Sequence, residues 1–159
     1  MSVGYERADV SQPAAIEAMF ASVLAGSGQV GLLVNKAGIQ HVPPIDDFPV
    51  AKRDAIMAIN LSAAFHTVHH VLPGMKSQRW GRILNIASAH ALLASPYDSV
   101  YEGAQHGIAG LTRTGALEVA EAGVTANAIR PGYVWPPAGR TADPRNRPCT
   151  RNLRTAGDQ

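Results

Sequence analysis

Three short apolar runs, GLLVN at 31–35, RILNIA at 82–87 and VTANAI at 124–129, are separated in this chain by long intervals with apolar residues at helical spacing. GLLVN is too brief for a helix and reads as a strand buried on both faces, as in a parallel sheet. RILNIA reads as a second buried strand, and VTANAI as a third that runs into Arg130, Pro131 and Gly132. Between them, residues 13–25 carry Ile16, Met19, Phe20, Val23 and Leu24 on one helical stripe, with Ser11 as the expected N-cap and Pro13 in the first turn. Residues 50–72 and 99–121 predict two longer helices, and a proline-rich loop covers 41–49. Strands and helices that alternate in this way predict an α/β fold of βαβ units, with right-handed crossovers and a parallel sheet covered on both faces.

The pattern stops near Trp135. Residues 136–159 hold one leucine and no isoleucine, valine, phenylalanine or methionine. Such a segment cannot bury enough apolar surface to offset its ordering entropy, so residues 1–135 are expected to form the domain and 136–159 a disordered tail. The tail also carries the basic excess, +3 against −1 for residues 1–135. A nucleic-acid footprint needs Lys and Arg clustered on one face of the folded part, and no nucleic-acid partner is expected. Cys149 is the single cysteine and cannot form an internal disulfide. The start MSVGYERADV has no signal-peptide pattern, and no apolar run reaches the roughly 20 residues that span a bilayer. A cytoplasmic protein with no membrane partner is expected.

Gly26, Gly28 and Gly31 spell the dinucleotide fingerprint G-x-G-x-x-G, but in the wrong context. The fingerprint follows a strand and opens a helix, whereas here a helix comes first, so these glycines are read as ending it. Chemistry is expected elsewhere. Ser88 lies at the end of the second strand, Tyr101 thirteen positions later inside the next helix, and Asn60 in the preceding helix, while Asn35-Lys36-Ala37-Gly38 follows the first strand. In a parallel sheet, ligands bind beyond the carboxyl ends of the strands, and all four features point to that rim.

These segments resemble the short-chain dehydrogenases/reductases, whose fold is a Rossmann-type doubly wound parallel sheet. The resemblance covers about residues 8–134: LLVNKAGIQHV against the family's N-N-A-G, then AINLSAAFHT, GRILNIASAH, SPYDSVYEGAQHG against Y-x-x-x-K, and NAIRPGYV. Within the family it is most similar to the branch that interconverts D-3-hydroxybutyrate and acetoacetate with NAD. The resemblance implies that Asp9 and Val10 contact the adenine, and that Asn35, Ala37 and Gly38 border the adenosine. It makes Asn60, Ser88 and Tyr101 catalytic, with Tyr101 also beside the cofactor. Pro131, Gly132 and Val134 would flank the nicotinamide, and Gln40, Ser88 and His90 would hold the 3-hydroxy acid. A homo-oligomer built on the two long helices is the family's pattern.

Several positions depart from it. The lysine one turn after the tyrosine, which supplies positive charge to the phenolate, is Gln105. An ammonium about 4 Å from a phenolate contributes on the order of 4 kcal/mol at an effective dielectric of 20, so the acid–base step is expected to be very slow. The lysine three residues before the tyrosine is Asp98, the second asparagine of N-N-A-G is Lys36, and the threonine after Gly-Tyr-Val is Pro136. Asp98 is expected to repel an anionic substrate. The resemblance also implies strand order 3-2-1-4-5-6-7, with this chain starting near the third strand, so the N-terminal βαβ unit and the last strand are expected to be missing. The edge and apolar faces of GLLVN would then be exposed, and a truncated product with a frameshift near codon 135 is the implied origin. The alternative is a non-catalytic fragment that joins full-length subunits. His66, His69 and His70 lie on one helix without acidic or cysteine partners and are read as surface, so no metal site is assigned.

Overall fold

The computed structural model describes residues 4–132. Helix α1 (Pro13–Ser27) leads to strand β1 (Leu32–Asn35). Helix α2 (Val50–Met57) continues through a π-helical turn at Ala58–Ser62 into α3 (Ala63–Gln78). Strand β2 (Gly81–Ile86), a 3₁₀ turn at Ala89–Ala91, helix α4 (Ser99–Glu118) and strand β3 (Val124–Ile129) complete the order. The strands form one parallel sheet in the order β1-β2-β3, with Leu33 opposite Ile83 and Ile83 opposite Ala126. The chain therefore has the Rossmann-type α/β architecture expected of it.

One face of the sheet is packed. Leu33, Ile83 and Val124 meet Ile16 and Phe20 of α1, Ala63, Val71 and Met75 of α3, and Val119 after α4. A second cluster of Ala64, Ala87 and Ile108 joins α3 and α4 above the end of β2. The opposite face of β1 is open among the described residues: Leu32 is 60% and Val34 48% exposed. GLLVN is thus buried on one face and not on both, because no described helix packs over that side. Of the edge and apolar faces expected to be exposed, the edge and one face are open among the described residues, while the face bearing Leu33 is buried.

Three local expectations are corrected. Ser11 does not cap α1; Gln12 takes the N-cap without a side-chain bond, and Asp9 accepts from the Ser11 N–H at 2.9 Å. The helix expected to stop at residue 72 runs through Pro73 to Gln78. Proline removes one helical bond, but completely buried Met75 holds the last turn onto the core and prevails. By length and composition, Val50–Gln78 is also apolar enough to cross a membrane, contrary to the sequence expectation. It packs here against β1, β2 and α1 and places Asn60 and Thr67 in polar contacts inside the protein, as the core helix of a folded domain does. The glycine motif ends α1 as expected: Gly28 has φ 74° and its N–H bonds to the Leu24 carbonyl. Residues 136–159 and Val134 lie outside the described residues.

Candidate active site

Parallel pairing puts the ends of all three strands on one rim. The Ala87 N–H donates to the Ile129 carbonyl (2.8 Å) and the Ala89 N–H to that of Pro131 (3.0 Å), so the segments after β2 and β3 leave the sheet side by side. Beneath the rim a polar relay crosses the core. The Thr67 hydroxyl donates to Asn35 Oδ1 (2.8 Å), Asn35 Nδ2 to Asn85 Oδ1 (2.9 Å), and Asn85 Nδ2 to the Thr112 hydroxyl (2.8 Å). Buried amides are stable when paired in this way. The relay fixes β1 and β2 against α3 and α4, and it occupies the side chain of Asn35.

Asn60 sits in the π-helical turn, 5% exposed, and pairs with the backbone of Ile39 on both sides: the Ile39 N–H donates to Oδ1 and Nδ2 donates to the Ile39 carbonyl, each at 2.9 Å. Single π turns within α-helices are frequent at functional sites. Asn60 thereby pins the loop carrying Lys36, Ala37, Gly38 and Gln40, all of which are exposed. Ser88 leads out of β2, and its hydroxyl oxygen accepts the His90 N–H (3.2 Å). Tyr101, half-buried in the first turn of α4, meets the His90 ring edge-to-face with centroids 6.0 Å apart. One turn later Gln105 is 5% exposed, and its Oε1 has no hydrogen-bond partner among the described residues.

Asp9 and Val10 lie on the other side of the rim. Asp9 is exposed, and hydrogen bonds from the Ser11 side chain and backbone hold its carboxyl below the usual range. Val10 lines a cleft of about 190 Å³ with Asn35, Ala37, Asn60 and the apolar side chains of Met19, Phe20 and Leu33. Neither Ser88 nor Tyr101 lines this cleft, so the polar constellation and the cleft do not coincide. The cleft is lined by Lys36 as its one charged side chain, whereas Ser88, His90 and Tyr101 lie outside it. Pro131 is half-buried and Gly132 exposed at the rim.

The largest departure from expectation is Asp98. It does not project charge toward solvent but is 3% exposed, and Gln40 Nε2 donates to its Oδ2 at 2.7 Å. His90 Nδ1 lies 3.2 Å from the same oxygen and 3.1 Å from Glu102 Oε1, and the Ser95 N–H donates to Glu102. The Asp98 carboxylate thus occupies Gln40 and His90, two of the three side chains expected to hold the 3-hydroxy acid. Burial pushes its carboxyl above the usual range, opposed by the Gln40 bond and the His90 charge.

A match to the family described as short chain dehydrogenase extends over residues 2–146. The chain belongs to the short-chain dehydrogenase family. It is 54% identical over 136 residues to the D-beta-hydroxybutyrate dehydrogenase of Rhizobium meliloti (strain 1021), covering 86% of this chain and 53% of that protein. It is 55% identical over 135 residues to the protein of the same name from Cupriavidus necator, covering 85% and 52%. The chain therefore spans about half the length of the curated relatives it matches. Among solved structures it is similar to a metagenomic short-chain oxidoreductase in complex with NADP, with TM-score 0.77, 29% identity and coverage of 80% of this chain and 58% of that one. A gluconate 5-dehydrogenase from Burkholderia cenocepacia J2315, in complex with NADP and tartrate, superposes with TM-score 0.75 and 33% identity over 79% of this chain and 49% of that one.

Within this short-chain dehydrogenase domain, Glu102 and the relay of Thr67, Asn85 and Thr112 escaped sequence reasoning. A signal existed only for Glu102, which lies four residues after Asp98 and so shares its helical face. The state of Asp98 has a measurable consequence. A carboxyl raised above its usual 3.8 binds its proton more tightly in the folded chain, so its contribution is fully present below that pH and is lost as pH rises through the folded value. Asp98→Asn keeps the shape and the bond from Gln40 without the charge. Thermal melts should show the variant more stable than the natural chain at pH 7 and equal to it near pH 4; a variant less stable at pH 7 contradicts this account.

Proposed function

We propose that this chain is a dehydrogenase domain that interconverts D-3-hydroxybutyrate and acetoacetate with NAD, through a slow acid–base step. The observation that carries the reading is the arrangement of Asn60, Ser88 and Tyr101 at the carboxyl rim of a parallel sheet. The relatives that are 54% and 55% identical, both named D-beta-hydroxybutyrate dehydrogenase, support the substrate. The residues also suit a dinucleotide. The buried Oε1 of Gln105, without a partner among the described residues, is an acceptor that a ribose hydroxyl can satisfy, and exposed Asp9, Ala37 and Gly38 with half-buried Val10 offer a rim for the adenosine, with Pro131 and Gly132 on the nicotinamide side. The Asp9 carboxyl, kept ionised by Ser11, disfavours an additional phosphate on the adenosine side and supports NAD over NADP.

The chemistry a bound nicotinamide supplies is acceptance of a hydride from the alcohol carbon. The chain supplies the rest. The Tyr101 oxygen takes the hydroxyl proton, the Ser88 hydroxyl orients the substrate oxygen and shares its developing charge, and Asn60 holds the loop that bears Gln40. In the reverse direction Tyr101 returns the proton. Calorimetric titration of the chain with NAD and with NADP tests the reading, together with absorbance assays on D-3-hydroxybutyrate. Binding of NAD at least tenfold tighter than NADP, with slow turnover, is expected; absence of binding to both dinucleotides overturns it.

A further inference from the structure

Three ligand atoms of different side chains converge beside Tyr101. His90 Nδ1, a carboxylate oxygen of Asp98 and one of Glu102 all lie within 4.8 Å of one another. Asp98 is 3% and Glu102 9% exposed, and the second oxygen of Asp98 is buried with no partner among the described residues. Two buried carboxylates facing a single imidazole remain short of positive charge even when that imidazole is protonated. Ligand atoms around a tetrahedral cation with bonds of about 2.0–2.1 Å lie about 3.3 Å apart; His90 Nδ1 already has that spacing to both oxygens, at 3.2 Å and 3.1 Å, while the two oxygens lie within 4.8 Å of each other and need only side-chain rotation to close on a cation.

We propose that His90, Asp98 and Glu102 form a binding site for one divalent transition-metal cation, held by His90 Nδ1 and one oxygen from each carboxylate. Nitrogen with two carboxylate oxygens is a donor set that Zn²⁺ accepts, and three protein ligands leave a fourth position open. The outer shell is in place. The Gln40 amide and the Ser95 N–H donate to the ligating oxygens, and such bonds orient carboxylates toward a cation. The His90 side chain, 32% exposed, provides the way in. On the proposed substrate reading, which this last step alone requires, the cation supplies at the carboxylate end the positive charge that Asp98 removes, and the open position faces the anionic substrate.

The full chain, stripped with chelator, is titrated with Zn²⁺ by calorimetry and with Co²⁺ by visible absorption. One equivalent should bind, with Co²⁺ d–d bands of a low-coordinate nitrogen and oxygen site. Glu102→Gln and Asp98→Asn, with unchanged circular dichroism, should each weaken binding at least tenfold, whereas His69→Ala and Cys149→Ser should leave it unchanged. Absence of stoichiometric binding overturns the site, and so does binding that survives Asp98→Asn/Glu102→Gln or disappears with His69→Ala. Because the metal alone is the probe, a chain that takes Zn²⁺ here yet binds no 3-hydroxybutyrate upholds the metal site and removes the substrate reading.

Discussion

On the proposed function, a Gln105→Lys variant is expected to oxidise D-3-hydroxybutyrate on the order of a hundred- to a thousand-fold faster than the natural chain at neutral pH. The upper figure is the Coulomb term: a unit charge about 4 Å from a developing phenolate contributes about 4 kcal/mol at an effective dielectric of 20, close to a thousand-fold in rate. The structure lowers that figure. Gln105 is 5% exposed and reaches inward from α4, so a lysine there loses much of its hydration and holds its proton less firmly. The same burial makes the variant less stable in the absence of nucleotide, by about 1–3 kcal/mol. Rate–pH profiles and thermal melts should therefore move together, with faster turnover that persists to lower pH and a lower melting temperature. Gln105→Met, similar in length and uncharged, separates charge from shape and should bring no gain. A lysine variant no faster than the natural chain would show that the missing charge is not what limits it.

Gly123→Ala is the second large effect, on stability. Gly123 joins the end of α4 to β3 with φ 72°, a left-handed conformation that costs an alanine about 1–2 kcal/mol. An added Cβ would also fall on the carbonyl of Arg79, which itself turns the chain from α3 into β2 with φ 54°. Both connections are backbone at that point, and neither can rotate aside as a side chain can. Together the two terms predict a loss of about 3 kcal/mol or more, and a melting temperature lower by roughly 10 °C. Gly110→Ala within α4 is the control. A Cβ there meets nothing within 4 Å, so it should leave stability unchanged or raise it by up to about 1 kcal/mol. Equal effects at the two glycines would remove the argument from backbone geometry.

Both sites show how differently the sequence exposes its parts. VTANAI was read as a strand over 124–129 and forms one over those residues, because a short β-branched run between turns has few other conformations open to it. The end of α3 was misplaced by six residues, since a proline is a strong local signal and the burial of Met75 that overrides it depends on Ile16, Phe20 and Leu33, more than forty residues back along the chain. GLLVN was recognised as a strand but given two buried faces. Apolar content is visible in sequence, whereas what covers it is not.

By itself the sequence determined the element order, the parallel α/β architecture and the family, because these follow from periodicity and from short segments whose spacing along the chain is the signal. It also singled out Asn60, Ser88 and Tyr101 as candidates for one rim. Only the tertiary structure decided what Asp98 does. Its partners Gln40 and His90 lie 58 residues before it in one case and across a turn in the other, and they meet only once β1 and β2 are in register and α4 packs against the 3₁₀ turn. A charge in sequence carries a sign, whereas burial and partners decide its state, and those are properties of the packed sheet rim.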